Sequence, residues 1–132
     1  MAQDTQEKKN RILVIDDNQS ALHLFSSLLE KLNCEAITTA RGEEGVRIAT
    51  EEFKKDTPFD LIITDIQMPD LDGTNVATKI RAEGFKGPIV VFTAYPTATM
   101  KNKSRSVGID AYFSKTVLNK DLMSAILFQF CS

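Results

Sequence analysis

Residues 59–65 read FDLIITD, a short apolar run that ends in an aspartate. Similar runs occur at 12–15, 35–38, 89–92 and 111–113. Because these runs are apolar on both faces, they are typical of strands that helices cover on both sides. They predict a sheet whose central strands lie inside the molecule.

The segments between the runs have helical periodicity. It is clearest over 21–32, where apolar residues repeat at intervals of three and four after Asn18, a candidate N-cap. Further helices are predicted over 43–53, 73–82, 97–107 and 119–130. The alternation of strands and helices predicts an α/β fold, a doubly wound five-stranded parallel sheet of order 2-1-3-4-5 flanked by about five helices. This flavodoxin-like arrangement places a ligand site at the carboxyl ends of the strands.

Composition sets the broad class of the protein. The chain has 132 residues, 42% of them hydrophobic, and 16 basic against 18 acidic residues for a formal charge of −2. One domain of this length can bury a self-sufficient core. The slightly acidic balance argues against direct binding to nucleic acid, which needs clustered Lys and Arg.

Residues 1–10 are polar and charged, and they predict a flexible N-terminal tail that precedes one domain over 11–132. They lack the apolar core of a signal peptide, and no long apolar stretch follows, so export and membrane insertion are not expected. Cys34 and Cys131 have no framework spacing, which favours reduced thiols and a cytoplasmic location. No effector domain is expected within this length.

Chemically useful side chains follow the apolar runs at what should be one edge of the sheet. Asp16 and Asp17 end the first run, Asp65 the third and Thr93 the fourth, while Lys115 comes after the fifth. Three carboxylates in close proximity raise one another's pKa unless a divalent cation lies among them. Hard oxygen ligands favour Mg²⁺ or Mn²⁺, and the lysine and threonine indicate contact with a phosphoryl group.

These residues lie in recognisable motifs. They are ILVIDD at 12–17, DLIITDIQMPDLDG at 60–73, VVFTA at 90–94, and Lys115. Together the motifs resemble the CheY-like receiver domains of two-component response regulators, over about residues 11–130. The resemblance implies a domain that accepts a phosphoryl group from a sensor histidine kinase or a histidine phosphotransfer protein, and that is not an enzyme acting on an external substrate.

The resemblance also implies a role for each matching residue. Asp65 is the expected phosphoacceptor, and Lys115 is expected to pair with phosphoryl oxygens. Asp17 and Asp65 would bind Mg²⁺ directly, Asp16 through water, and Gln67 through its backbone carbonyl. Thr93 and Tyr112 would form the switch, in which the threonine hydroxyl moves to the phosphoryl group and the tyrosine turns inward.

Three positions depart from the family pattern or tune it. Thr116 stands where the family commonly has a proline in a cis bond, and we expect a trans Lys115–Thr116 bond because a non-proline cis bond costs about 2.5–4 kcal/mol. Tyr95 and Gln67, two residues after Thr93 and Asp65, border the path of the water that hydrolyses the acyl phosphate in this family. The bulk of Tyr95 predicts slow self-dephosphorylation.

The last two helices carry further signals. The predicted helix 97–107 contains weak helix formers and should be short or frayed; its basic residues favour either an ordinary solvated face or docking of an acidic partner. The last helix has more apolar residues than one buried stripe needs. It favours a homodimer or partner interface, through this helix or through the face of the fourth helix and fifth strand, or else burial under a neighbouring loop.

Alternative functions remain at this point. Residues 70–74, DLDGT, imitate the nucleophile motif of haloacid dehalogenase-type phosphatases, but Pro69 separates them from the strand end where that chemistry needs its first aspartate. A receiver-like scaffold that acts without phosphorylation is a second alternative. The preferred interpretation is a single-domain regulator or phosphoryl shuttle with an unknown protein target, ahead of a receiver excised from a larger regulator or hybrid kinase.

Overall fold

The computed structural model describes residues 9–131. The predicted tail therefore lies, except for Lys9 and Asn10, outside the described residues. The elements are β1 (Arg11–Ile15), α1 (Gln19–Lys31), β2 (Glu35–Thr39), α2 (Gly42–Lys54), β3 (Leu61–Thr64), α3 (Gly73–Ala82), β4 (Ile89–Thr93), α4 (Ala98–Ser106), β5 (Ala111–Ser114), a short 3₁₀ turn (Lys115–Val117) and α5 (Lys120–Cys131).

The five strands form one parallel sheet in the order β2-β1-β3-β4-β5, which confirms the predicted fold class. Helices cover both faces, so side chains that alternate along each strand enter two separate apolar layers. On one face Leu13 and Ile62 pack with residues of α2 and α3. On the other, Ile12 and Ile63 pack with residues of α1 and α5. The strands are therefore buried on both sides.

Local capping sets where four of the helices begin, and for α5 the cap is Asn119, which accepts a hydrogen bond from the Leu122 amide at 2.8 Å. Asn18 accepts a hydrogen bond from the backbone of Ala21 at 2.9 Å, as its position predicts. Asp72 and Thr97 cap α3 and α4 in the same way. α4 has nine residues, the fewest of the five α-helices in the described part of the chain, in agreement with the expectation of a short helix.

The structure differs from the predicted boundaries by one or two residues at most ends. Pairing in β3 starts at Leu61 rather than at Phe59, whose ring is buried beneath the Arg11 guanidinium, 4.9 Å from its centroid. The 3₁₀ turn after β5 was not predicted. Within residues 9–131, every helix is too short or too polar to cross a bilayer.

Candidate functional site

The strand register brings two aspartates side by side. β1 and β3 are neighbours, and Ile15 lies opposite Thr64 in their register, so that Asp16 and Asp65 leave the sheet together at its carboxyl edge. The Asp65 amide continues the ladder by donating to the Ile15 carbonyl at 2.9 Å. Both carboxylates are therefore held by the rigid centre of the sheet rather than by a free loop.

Asp17 completes a cluster of three acidic side chains. Each of Asp16, Asp17 and Asp65 offers a carboxylate oxygen, and these oxygens all lie within 4.8 Å of one another. Asp16 and Asp65 are buried, whereas Asp17 is exposed. One oxygen of each buried carboxylate accepts a backbone hydrogen bond, from Asn18 to Asp16 at 3.0 Å and from Ile66 to Asp65 at 2.7 Å.

Lys115 lies between the two buried carboxylates. Its Nζ is 2.7 Å from Asp16 Oδ2 and 3.0 Å from Asp65 Oδ2. The lysine enters from the far side of β4, where the 3₁₀ turn follows β5, and the Ser114 hydroxyl accepts a hydrogen bond from the Thr116 amide at 3.2 Å. The Lys115–Thr116 bond is trans, the form expected for this sequence.

Burial and charge act in opposite directions on these groups. Burial is the main cause that raises the pKa of Asp16, and repulsion by Asp65 adds to it, against the Lys115 ammonium and the Asn18 amide. For Lys115, burial alone would lower the pKa, but its contacts with Asp16 and Asp65 outweigh burial and raise it. The ammonium is therefore held in its charged form by two acidic neighbours.

The donor set fits a hard divalent cation. Asp16 Oδ2 is buried and contacts the Lys115 ammonium at 2.7 Å, which leaves a second lone pair of this oxygen without a donor. An oxygen of this kind, beside two further carboxylates, leaves lone pairs free for a cation. Asp16, Asp17 and Asp65 are the residues that would hold Mg²⁺.

Thr93 and Tyr112 lie on the two strands beyond Asp65. Thr93 ends β4 and is buried; its hydroxyl accepts a hydrogen bond from the Tyr95 amide at 3.4 Å. Tyr112 is half-buried in β5, and its hydroxyl accepts from the Thr97 amide at 3.4 Å. Both predicted switch side chains thus contact the loop between β4 and α4. The Tyr95 side chain is 72% exposed.

A groove lies beside the acidic cluster. Gln67 lines it together with Asp17, and Asp72 and Met100 form further parts of its wall. The sequence interpretation missed the last two. The spacing from Asp72 to Asn75 could have indicated the helix cap, but nothing local shows that Met100 of α4 reaches this side of the sheet.

Asp70 has a structural contact that the sequence did not suggest. Its carboxylate accepts hydrogen bonds from the amides of Gly42 and Glu43, at 3.1 and 3.0 Å, and so caps the start of α2. These backbone contacts, with that of Glu43 foremost, lower the pKa of Asp70. The first aspartate of the DLDGT motif therefore lies in the loop after Pro69, engaged with another helix, and not at the end of a strand.

Fold and site together define a doubly wound α/β domain with an acidic, lysine-containing pocket at the carboxyl edge of its sheet. The family model for the response regulator receiver domain matches residues 12–127. The chain belongs to this family, as the sequence motifs predicted.

Individual proteins agree with this assignment. The sensor protein GacS of Pseudomonas syringae pv. syringae is 33% identical over 122 residues, which cover 89% of this chain but only 13% of GacS. A CheY-like receiver domain from Methanospirillum hungatei is 29% identical, with a TM-score of 0.82 over 92% of this chain and 94% of that one. The receiver domain of the Pseudomonas aeruginosa sensor histidine kinase PA1611, 25% identical, has a TM-score of 0.81 over 93% and 98% of the two chains and contains a magnesium ion in its active-site cleft.

Proposed function

We propose that this receiver accepts a phosphoryl group on Asp65 from a sensor histidine kinase or a histidine phosphotransfer protein, and that the modification changes which partner the domain binds. The observation that carries the proposal is the arrangement around Asp65. One buried carboxylate has a lysine ammonium at 3.0 Å and two further aspartates beside it, at the end of a central strand. A nucleophile, a counter-charge and a set of cation ligands meet at one point.

The chain's own residues account for the transfer. A carboxylate oxygen of Asp65 attacks the phosphorus of a phosphohistidine; the new P–O bond forms as the P–N bond breaks, and the imidazole leaves and takes a proton from solvent. Lys115 already contacts Asp65 and would exchange this contact for one with a phosphoryl oxygen. Bound Mg²⁺ would neutralise part of the negative charge of the phosphoryl group. The residues that would hold it are Asp16, Asp17, Asp65 and, through its carbonyl, Gln67. Mn²⁺ would suit the same oxygens.

The signal would leave the site through Thr93 and Tyr112. The Thr93 hydroxyl accepts a hydrogen bond from the Tyr95 amide at 3.4 Å, and it can donate its own proton to a phosphoryl oxygen. Movement of the loop 94–97 would then release the Tyr112 hydroxyl from Thr97 and alter the face formed by α4 and β5. This is a population shift between two arrangements of one loop.

The domain itself is proposed to be a phosphoacceptor rather than an enzyme for other substrates. Its own chemistry would be self-phosphorylation from small donors and self-dephosphorylation. Gln67 lies two residues after Asp65, and Tyr95 lies two residues after Thr93. Both are proposed to set the rate of self-dephosphorylation.

The context of the domain is also a proposal. A single-domain regulator or shuttle is our first choice, and a receiver fragment of a larger regulator or hybrid kinase is the second; phosphorylation-independent scaffolding is the third. Phe128, whose side chain is 80% exposed on α5, supports a homodimer or partner interface there. Direct nucleic-acid or membrane binding is not proposed. Both cysteines are free, which supports a cytoplasmic location.

Intact-mass spectrometry after incubation with acetyl phosphate tests the proposal. We expect the mass of one phosphoryl group to be gained with Mg²⁺ and lost when the cation is chelated. Asp65→Asn should abolish the gain, whereas Asp56→Asn, at an exposed aspartate far from the site, should leave it intact. Absence of the gain in the parent chain, or its persistence in Asp65→Asn, would refute phosphorylation at this residue and favour the scaffold.

A further inference from the structure

The end of β2 and the start of α2 are joined by residues 39–43, which we call the β2–α2 junction. This junction lies beside Asp16, because the Thr39 carbonyl accepts a hydrogen bond from the Asp16 amide at 3.1 Å. The Thr39 side chain is buried, and its hydroxyl donates to the Glu44 carboxylate and accepts from the Arg41 amide. The junction is therefore held in place, and it is fixed to the segment that carries one of the clustered aspartates.

The same junction contacts residues 66–72, which we call the β3–α3 loop and which contain Gln67. Oδ1 of Asp70 accepts a hydrogen bond from the Gly42 amide at 3.1 Å, and Oδ2 accepts one from the Glu43 amide at 3.0 Å. Amides in the first turn of a helix have no carbonyl partner within that helix. Since both oxygens of one carboxylate are used, the contact fixes the orientation of the loop as well as its distance from α2.

Backbone packing brings the junction and the loop together independently of this carboxylate. Gly42 is buried, and a Cβ atom added to it would lie 2.6 Å from the Leu71 carbonyl oxygen and 3.0 Å from Leu71 Cβ. The two backbones are thus in close contact, and Asp70 joins them at that point. The β2–α2 junction thereby bridges the segment that carries Asp16 and the loop that carries Gln67.

We propose that Asp70 is a positioning residue for the metal site: its two hydrogen bonds to the start of α2 fix the β3–α3 loop, and with it the Gln67 carbonyl, relative to Asp16. The inference rests on the proposed function, which assigns Mg²⁺ to the acidic cluster. Asp70 is not a member of that cluster, so it acts through the loop. Without the contact the loop samples further arrangements, and the apparent affinity for Mg²⁺ falls with the fraction of molecules in the competent one.

Calorimetric titration of Mg²⁺ into the full chain tests this role. We expect Asp70→Ala to weaken Mg²⁺ binding about tenfold, the lower end of the range for groups that support metal ligands. Asp70→Asn removes the same charge but keeps an oxygen that can accept one of the two hydrogen bonds, so its affinity should stay within about threefold of the parent. The difference between the two variants reports the hydrogen bonding and not the charge.

Asp110→Ala is the matched control. Asp110 is also a partly exposed aspartate; its carboxylate accepts the Ile89 amide at 2.9 Å and lies 3.1 Å from the Arg81 guanidinium. It precedes β5 and therefore lies at the opposite, amino edge of the sheet. Its replacement removes one negative charge and one backbone contact far from the cluster, so Mg²⁺ affinity should change less than about twofold.

The rate of phosphorylation by acetyl phosphate gives a second readout, followed by intact mass at increasing Mg²⁺. For Asp70→Ala the Mg²⁺ concentration that gives half the maximal rate should rise about tenfold, while the rate at saturating Mg²⁺ changes less than about twofold, because bound cation restores the competent arrangement. A loss of stability alone would leave both quantities unchanged well below the unfolding midpoint.

Parental Mg²⁺ affinity in Asp70→Ala would overturn the positioning role, and so would weakening of the same size in Asp70→Asn or in Asp110→Ala. Each of these results leaves phosphorylation of Asp65 in the parent chain unaffected, so the proposed function would stand. Failure of the parent chain to bind Mg²⁺ would overturn the positioning role together with the metal site on which it rests.

Discussion

Gly73 links the stability of the domain to the position of Asp65. It is the first residue of α3, it is buried, and its amide donates to the Ile66 carbonyl at 2.8 Å. A Cβ atom added here would overlap the Asp65 carbonyl oxygen and lie 3.0 Å from the Asp65 carbonyl carbon and 3.1 Å from Ile66 Cα. The substitution Gly73→Ala therefore pushes against the backbone of the proposed phosphoacceptor.

The magnitude follows from what the new methyl group meets. Overpacking a buried site costs about 1–3 kcal/mol, and the upper end applies here because backbone atoms cannot rotate away. Replacement of glycine by alanine in a helix returns at most about 1 kcal/mol. We expect a net loss of about 2 kcal/mol in the free energy of unfolding. With a urea slope of about 1.5 kcal/mol/M, the midpoint falls by about 1.3 M.

Urea unfolding followed by circular dichroism measures this loss, and calorimetric titration with Mg²⁺ measures its effect on the site. Displacement of Asp65 should weaken Mg²⁺ binding about tenfold or more, the range seen when groups that support metal ligands are altered. Lys79→Ala is the control, because it changes an exposed side chain of the same helix; the change should stay below about 0.5 kcal/mol. If Gly73→Ala unfolds at the parental midpoint, the reasoning is wrong.

Three further predictions concern other residues. The pKa of Asp16 is raised above 3.8 in the folded, metal-free chain, so the contribution of Asp16 to the free energy of unfolding declines as pH rises through that raised value. Asp16→Asn should abolish this decline. Urea midpoints of parent and variant that change in parallel at every pH would contradict the prediction. Asp70→Ala should cost about 1 kcal/mol by leaving the start of α2 uncapped, while Asp70→Asn restores most of it, as thermal unfolding can show. Tyr95→Ala should shorten the lifetime of the phosphorylated form, measured by the decay of its mass; an unchanged lifetime would mean that this exposed ring does not shield the site.

The sheet was predictable because its strands are buried on both faces. Runs such as 12–15 and 89–92 are apolar throughout, and that pattern requires helices on both sides and parallel pairing. Boundaries were less predictable, since they depend on neighbours that are distant in sequence. Phe59 was predicted in β3 because it belongs to the apolar run, yet it lies before the strand and is buried in the apolar layer of Leu13, beneath the Arg11 guanidinium.

The residues of the candidate site were predictable for a related reason. Asp16 and Asp65 each follow a central strand, and parallel strands bring their carboxyl ends to one edge, so sequence alone indicated that they meet. The contact of Asp70 with the start of α2 was not predictable, because it joins residues 27 and 28 positions apart through a loop. The approach of Met100 to the groove beside Asp17 depends in the same way on how α4 packs.

The sequence by itself determined the fold class and the set of residues at the carboxyl edge, because hydrophobic periodicity and strand ends are local properties. Only the tertiary structure decided how that set is connected. The strand register and the 3₁₀ turn after β5 place Lys115 between Asp16 and Asp65, and the loop after β4 engages the hydroxyls of Thr93 and Tyr112. The contact of Lys115 with Asp16 spans four strands and depends on sheet twist and loop geometry, so no local preference of the chain encodes it.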